Sequence, residues 1–283
     1  MKKETILSAE FPQTVADKAI LQDKHPSYRV LNLNNTFQES KTSYYHKSIG
    51  GYHAAKLKRY QELIEFQITN EMNTIINSFQ SQNVDTIMAS FRNLTALNML
   101  NAKYVIYHPE QPPLQNPDAM GNAWFVDEYK FVENADQEIA ALNTLNAHKT
   151  AVIDKRFEGG ELSGLTILPD SLATMEMIEY KPDMIKYRSK TASEQLAVLS
   201  EIYYADGWQA YLDGNEVPHF RADWTLRAMR VPAGEHEIVF KFEPHNYFLS
   251  RKVSTFSSLA VVLLLLITLG FYIKRSVDKD KAP

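Results

Sequence analysis

The stretch Val253–Ile273, with the sequence VSTFSSLAVVLLLLITLGFYI, contains no charged side chain and lies between Lys252 and Lys274. A helix of this length is about 31 Å long, close to the thickness of the hydrocarbon core of a bilayer. It is apolar on every face, so a soluble protein would have to surround it completely. The sequence therefore predicts a transmembrane helix at residues 253–273, followed by a polar tail at residues 274–283.

The basic residues on the two sides of this span predict its orientation. More of them follow the span than precede it: Arg251 and Lys252 come before it, and Lys274, Arg275, Lys279 and Lys281 come after it. By the positive-inside rule, the tail is then cytoplasmic and the body extracytoplasmic. Met1-Lys2-Lys3 is not followed by an apolar segment, so no signal peptide is predicted. A body outside the membrane without a signal peptide indicates that the span is the last of several in a longer protein.

The composition of the chain excludes several classes of function. The 283 residues carry a net charge of −4, whereas nucleic-acid binding needs a concentrated basic surface. The absence of cysteine excludes disulfides, iron–sulfur clusters and thiol catalysis. It also fits an extracytoplasmic bacterial setting. We therefore expect an extracytoplasmic body on a bacterial cytoplasmic membrane.

The body divides by its hydrophobic periodicity into two parts. Residues 1–158 mix predicted helices, the longest at 53–79, with short strands, which indicates a mixed α/β domain. Gly159-Gly160 is the predicted boundary. In residues 159–250 apolar residues alternate with polar ones, and Asp213-Gly214 is a strong hairpin signal, so an antiparallel β-sandwich is predicted. The predicted fold class is thus α+β, with one transmembrane helix at the end.

A basic cluster lies at the start of the long predicted helix. Lys56, Lys58 and Arg59 fall in its first turns, where positive charge opposes the helix dipole. This arrangement favours an anionic partner, either a lipid phosphate or a neighbouring carboxylate. A solvated basic face with no partner is the alternative.

Aromatic residues are concentrated in the predicted sandwich, where exposed rings could stack on the apolar faces of sugars. Trp208 and Trp224 fall on the inward-facing side of their strands, which favours a role in the core. Tyr203 and Tyr211 fall on the other side and are the better candidates for an exposed glycan platform.

The sequence predicts no catalytic residue, no metal site and no cofactor. It lacks a dinucleotide-binding glycine motif, a P-loop, a zinc-protease motif and a nucleophile elbow. His46 and His53 flank the Gly50-Gly51 break, but a zinc site needs three or four ligands. Asp206, Asp213 and Asp223 occupy turn positions, where a carboxylate usually bonds its own backbone.

Several segments, taken in order, resemble one protein family. They are Ser43–His53 (SYYHKSIGGYH), Lys58-Arg59-Tyr60, Leu97–Tyr104 (LNMLNAKY), Gly121–Val126 (GNAWFV), Gly207–Gly214 (GWQAYLDG), Arg227-Ala228 and Pro232–His236 (PAGEH). Together they resemble the soluble region and last span of the YfhO-type bacterial membrane proteins, over residues 28–273.

The resemblance implies an architecture of many transmembrane helices, an extracytoplasmic region and one last span. Such proteins are similar to GT-C-type glycosyltransferases that use polyprenyl-phosphate sugars and modify cell-envelope glycans. Their catalytic carboxylate lies in an early loop that this sequence lacks. The expected role is therefore accessory, either positioning an acceptor or supporting the membrane domain. The implied partners are the lipid bilayer, a polyprenyl-phosphate sugar or envelope glycan, and an upstream transmembrane domain.

Two other interpretations remain open at the level of sequence. One is a membrane-anchored glycan-binding or scaffolding module without an enzymatic parent. The other is a tethered hydrolase, which would need carboxylates or histidines that converge in one cleft.

Overall fold

A computed structural model of the chain describes residues 11–279. The interpretation of residues 1–10 as lacking an apolar leader segment, and the last part of the predicted tail at 280–283, lie outside the described residues. The chain forms two units: one contains the residues up to 204 together with 209–241, and the other contains 205–208 and the residues from 242 onward. Each unit is described by itself below.

The helices are mostly short and lie before the β-rich region. Those of the described part are α1 (Val15–Ile20), α2 (Lys41–Tyr45), α3 (Lys58–Leu63), α4 (Thr69–Ser78), α5 (Val84–Ala89), α6 (Thr95–Met99), α7 (Ala135–Ala141) and α8 (His245–Lys279). Single 3₁₀ turns lie at Phe79–Ser81, Ser90–Asn93, Lys155–Phe157 and Gly160–Leu162.

The long helix predicted at 53–79 exists, but it begins at Lys58. Leu57 has an extended ψ of 130° and ends the irregular segment before it. Between α3 and α4 the helix passes through one π-helical turn, Ile64–Ile68, where the backbone N–H of Thr69 bonds the carbonyl of Ile64. The Thr69 hydroxyl donates to the same oxygen at 2.7 Å. Lys56 therefore precedes the helix, while Lys58 and Arg59 open it.

A buried carboxylate fixes the start of α6. Both oxygens of Glu71 on α4 accept backbone N–H groups, from Ala96 and from Leu97, each at 2.8 Å. Leu94, with φ −94° and ψ 72°, interrupts the helix before this point. Residues 90–99 therefore form a 3₁₀ turn followed by a separate short helix.

Fourteen strands in the described residues form four sheets. The strands are β1 (Arg29–Asn32), β2 (Ala102–Ile106), β3 (Leu114–Gln115), β4 (Ala123–Val126), β5 (Glu128–Val132), β6 (Thr150–Asp154), β7 (Thr174–Lys181), β8 (Met184–Thr191), β9 (Gln195–Ile202), β10 (Trp208–Leu212), β11 (Asn215–Val217), β12 (Phe220–Ala222), β13 (Leu226–Val231) and β14 (Gly234–Phe242).

The two large sheets are antiparallel and carry the C-terminal β-rich region. One has the order β11-β10-β14-β8-β7 and the other the order β12-β13-β9-β4. The small sheets are β1-β2-β3 and the parallel pair β5-β6. The predicted fold class is confirmed: a mixed α/β region, antiparallel sheets and one apolar C-terminal helix.

The four-stranded sheet is covered on both faces. Leu196 and Val198 of β9 belong to the same hydrophobic cluster as residues of α3 and α6. The opposite face meets the five-stranded sheet, because the guanidinium of Arg227 on β13 lies 5.2 Å from the ring centroid of Phe240 on β14. β4 precedes Gly159 in the chain yet pairs with β9. Residues on both sides of the predicted domain boundary thus share one sheet and one core.

The C-terminal helix α8 contains the apolar stretch predicted to span a membrane. Within it, Asn246–Tyr272 is 27 residues long and, by length and composition, apolar enough to cross a bilayer. Its large apolar side chains, such as Phe256 and Leu264, are exposed.

Candidate functional site

A groove of about 470 Å³ lies beside the segment from Gly50 to Leu57, and we call it the Gly50 groove. Its lining includes Arg29 of β1, Ile202 of β9 and Tyr60 of α3. The remaining lining residues come from 40–57, most of them within the segment Ser43–His53 quoted above.

Two glycines with different roles build its wall. A Cβ on Gly50 would overlap the carbonyl oxygen of Thr36, so only glycine allows this close approach. Gly51 has φ +106°, a conformation that other residues rarely adopt. Its N–H bonds the Thr36 carbonyl at 2.7 Å, and the next N–H, of Tyr52, bonds the carbonyl of Glu39 at 3.1 Å. The segment is thereby fixed against residues 36–39.

The groove combines hydroxyl groups, positive charge and apolar surface. Ser40 and Ser43 contribute exposed hydroxyls. The Lys56 ammonium lies 5.4 Å from the ring centroid of Phe37, and no carboxylate is found among the described residues that line the groove. Tyr52 and Leu57 expose 73% and 44% of their surface and supply the apolar part of the groove.

Hydrogen bonds and an ion pair fix the guanidinium of Arg29. One guanidinium nitrogen donates to the carbonyls of Leu100 (2.7 Å) and Ser200 (2.8 Å). The other lies 3.3 Å from the carboxylate of Glu201. These contacts use three of the five N–H donors of Arg29, so Lys56 is the more available of these two cations.

Lys47 lies in the same segment of chain and is half-buried. Its ammonium donates to the Ser27 hydroxyl at 2.6 Å and packs on the ring of Tyr180. Burial lowers the pKa of Lys47 to about 7, although attraction to Glu201 opposes this shift.

The three cations predicted from sequence are not brought together in one site. Lys56 lines the Gly50 groove, whereas Lys58 is 89% exposed and lies 3.7 Å from Glu62. Arg59 bonds the buried carboxylate of Glu138 at 3.0 Å. A neighbouring carboxylate thus compensates Arg59, which was one of the two predicted partners. A lipid-phosphate contact remains a prediction.

The aromatic candidates are also dispersed. Trp224 is 3% exposed, lies 4.0 Å under the Arg59 guanidinium, and donates its indole N–H to the Arg59 carbonyl at 2.7 Å. Tyr203 is half-buried, with its ring 5.6 Å from that of His219. In the second unit, Trp208 packs 5.4 Å from Phe242. Tyr211 is half-buried, and the Lys241 ammonium lies 4.8 Å from its ring. Glycan stacking on these rings remains a prediction.

Within residues 11–279, no group of three or more metal-ligating side chains could hold a metal ion. His46 bonds the carboxylate of Asp17 at 2.9 Å. Asp223 accepts the N–H of Val152 at 2.7 Å, and burial raises the pKa of its carboxyl to about 7. Asp213 sits at a hairpin turn with φ +49° and accepts the N–H of Glu237.

Sequence reasoning missed Arg29, Ser40 and Tyr60 as parts of the groove. Arg29 lies in β1, and no local pattern connects it with Ile202, 173 residues further on. The Gly50-Gly51 pair was the available signal, because adjacent glycines often mark a close backbone approach.

Comparison of the chain with protein-family models, curated proteins and solved structures finds no match.

Proposed function

We propose that this chain is the extracytoplasmic C-terminal part of a YfhO-like integral membrane protein. The parent takes part in cell-envelope glycan or lipid-linked sugar transfer, and this part is accessory to the chemistry. It holds a polyprenyl-phosphate sugar by its anionic headgroup in the Gly50 groove. The observation that carries the proposal is a groove with a cation, hydroxyls and exposed apolar side chains but no carboxylate among its described lining residues.

The electrostatics of the Gly50 groove differ from those of two other cavities in the same unit. The cavity beside Phe66 is lined by Glu62 and Asp136, and the cavity at residues 143–148 is lined by Asp118. A carboxylate at the wall repels a phosphate, so these cavities suit an anionic ligand less well. The Gly50 groove has the opposite character.

The lining chemistry matches the parts of a lipid-linked sugar. The Lys56 ammonium pairs with a phosphate as a point charge, and the Ser40 and Ser43 hydroxyls offer hydrogen bonds to phosphate or sugar oxygens. Tyr52 and Leu57 offer apolar contact to the first isoprene units. The apolar helix α8 supports the proposal, because once inserted it tethers the body to the bilayer in which such lipids reside.

Binding of a short prenyl phosphate tests this function. The full chain in detergent solution is titrated with farnesyl phosphate and with farnesol, and binding is followed by calorimetry. We expect farnesyl phosphate to bind about tenfold more tightly, since one charge-assisted contact contributes roughly 1.5 kcal/mol. Equal affinity for the two ligands would contradict the proposal.

Matched lysine variants locate the contact. Lys56→Gln should remove the preference for the phosphate, whereas Lys58→Gln, two residues away but outside the groove, should leave it unchanged. Loss of the preference in both variants would indicate a general charge effect and not a site.

A further inference from the structure

Two cavities within one unit of the structure adjoin at Asn143, which lines both of them. The larger has a volume of about 380 Å³ and lies beside residues 92–98 and 143–148. The smaller has a volume of about 330 Å³ and lies beside Phe66 and Trp224. We call the two cavities together the Asn143 cleft. Its described lining residues are all different from those of the Gly50 groove.

The larger cavity is lined mainly by hydrogen-bonding side chains. Six of them make no hydrogen bond or ion pair with any residue that the structure describes: Arg92, Asn93, Asp118, Thr144, Asn146 and His148. The backbone of the walls is nevertheless fixed. The N–H of Met120 bonds the carbonyl of Asn98 at 3.0 Å, and the indole N–H of Trp124 donates to the carbonyl of Ala147 at 2.8 Å. The cavity therefore offers free donors and acceptors on walls that the fold holds in place.

The smaller cavity contains an acceptor on a side chain that is almost fully buried. Gln67 is 6% exposed and lines this cavity. Its Nε2 donates to the carbonyl of Ile139 at 3.3 Å and to Oδ1 of Asn143 at 3.2 Å, and so fixes the amide group. Its Oε1 accepts no hydrogen bond from any residue that the structure describes. Since a buried amide oxygen normally accepts a hydrogen bond, this oxygen is available to a hydroxyl of a ligand.

An exposed aromatic ring lies in the same helical turn as this acceptor. Phe66 belongs to the π-helical turn Ile64–Ile68 and exposes 56% of its surface, whereas Ile64 and Ile68 are buried. π-helical turns are rare and are frequent at functional sites. Phe66 and Gln67 line the same cavity. The smaller cavity therefore combines an aromatic surface with a hydrogen-bond acceptor.

The charge and the hydrogen-bonding groups of the cleft favour a neutral ligand. The carboxylates of Glu62, Asp118 and Asp136 line it, and Arg92 supplies the one guanidinium among its described lining residues. The carboxylates repel an anion. A simple cation also fits poorly, because it cannot accept hydrogen bonds from Arg92 or from the asparagine amides. A sugar hydroxyl both donates and accepts, so a saccharide can bond all of these groups.

We propose that the Asn143 cleft binds a neutral oligosaccharide. One sugar ring stacks on Phe66 and donates a hydroxyl hydrogen to Oε1 of Gln67, and the adjoining ring occupies the larger cavity beside Asn93 and Asn146. Each cavity has the volume of a small-molecule site, roughly 300–1,000 Å³. The role of this oligosaccharide as the acceptor in the parent's transfer reaction rests on the proposed function, whereas its binding does not.

Saturation-transfer NMR tests the binding. The full chain, in a detergent without a sugar headgroup, is mixed in turn with maltotriose, cellotriose, mannotriose and triacetylchitotriose. We expect saturation transfer to at least one of these neutral trisaccharides, with a dissociation constant of about 1 mM. No transfer to any of the four would overturn the proposal.

Two exposed aromatic residues distinguish the Asn143 cleft from the Gly50 groove. Phe66→Ala removes the stacked ring and should weaken trisaccharide binding about tenfold, while the preference for farnesyl phosphate stays unchanged. Tyr52→Ala removes an exposed ring from the Gly50 groove and should leave trisaccharide binding unchanged. Equal trisaccharide affinities in the two variants would overturn the position of the site. Trisaccharide binding by a chain without a preference for farnesyl phosphate would support this inference and contradict the proposed function alone.

Two asparagine variants test the larger cavity. Asn146→Ala removes one free amide group and should weaken trisaccharide binding about fivefold. Asn77→Ala removes an exposed amide group of α4 outside the cleft and should leave the affinity unchanged. A loss of equal size in the two variants, or no loss in Asn146→Ala, would overturn the assignment of the second sugar ring to this cavity.

Discussion

Gly50 and Thr36 approach each other so closely that a Cβ on Gly50 would overlap the Thr36 carbonyl oxygen. That oxygen already accepts the N–H of Gly51, so it cannot move away without loss of a hydrogen bond. The wall of the Gly50 groove can therefore form only with glycine at position 50, because any Cβ there would overlap this oxygen.

Gly50→Ala should lower the free energy of unfolding by about 3 kcal/mol and abolish the preference for farnesyl phosphate, because the wall must shift to relieve the overlap. Gly164→Ala is the control. Gly164 has φ +69° but nothing within 4 Å of its would-be Cβ. We expect this control to lose about 1 kcal/mol and to keep the preference. Urea unfolding followed by tryptophan fluorescence measures both, and equal losses would contradict the close-approach argument.

Glu138 of α7 is fully buried and bonds both Arg59 and Arg221 at 3.0 Å. Glu138→Gln should lower the free energy of unfolding by about 3–5 kcal/mol, because it leaves two guanidinium groups without their shared charge. Glu133→Gln removes an exposed partner of Lys155 and should cost less than about 1 kcal/mol. The same urea titration compares the two variants. A loss of less than about 1 kcal/mol in Glu138→Gln would contradict this argument. The carboxylate of Asp154, 3.5 Å from Arg221, would then be enough to compensate the charge of that guanidinium.

Glu71 should make the free energy of unfolding fall as the pH rises from about 4.5 to 7, whereas His219, whose pKa burial lowers to about 4, acts in the opposite direction. Burial raises the pKa of the Glu71 carboxyl to about 7 from 4.5, so the folded state binds a proton more tightly than the unfolded state in this window. The free energy of unfolding therefore decreases with pH across it, by up to roughly 3 kcal/mol for this group. Asp223 acts in the same direction, because the pKa of its buried carboxyl is also raised to about 7.

Glu71→Gln should make this decline shallower, while Glu65→Gln, an exposed change in the neighbouring π-helical turn, should not. Urea unfolding at a series of pH values measures the slope. An unchanged slope in the Glu71 variant would show that its carboxyl titrates normally.

The orientation inferred from the basic residues is tested in cells. Protease added to spheroplasts should cut the body in the irregular segment at residues 163–173, where Leu168 and Leu172 are exposed, and should leave a C-terminal epitope tag intact. The expected result follows from a cytoplasmic tail. Removal of the tag with an uncut body would reverse the orientation and remove the body from the compartment of envelope glycans.

The sequence predicted elements wherever local pattern and tertiary environment agree. The Asp213-Gly214 turn was predicted to form a hairpin, and β10 and β11 pair across it, because the turn residues mark it clearly. β7 and β8 lie in residues 159–250, where the sequence predicted alternating strands in general but not these two individually. Their outer face carries cross-strand charges such as Lys186 with Glu237, so their apolar signal is weak.

The candidate sites were less accessible to sequence reasoning than the strands. The Gly50 groove joins residues 29, 40–60 and 202, and only the Gly-Gly pair and Lys56 carried a local signal. Arg59 was a candidate for an anionic contact, and the carboxylate that it bonds, Glu138, lies 79 residues away in the sequence.

Photo-crosslinking tests the central claim most directly. A farnesyl phosphate analogue that carries a diazirine on its chain is bound to the full chain, and the labelled peptides are identified by mass spectrometry. We predict labelling in the segment Tyr52–Leu57, competition by farnesyl phosphate, and loss of labelling in Lys56→Gln but not in Lys58→Gln. Labelling confined to other segments, or labelling in Tyr52–Leu57 that farnesyl phosphate does not displace, would contradict the account.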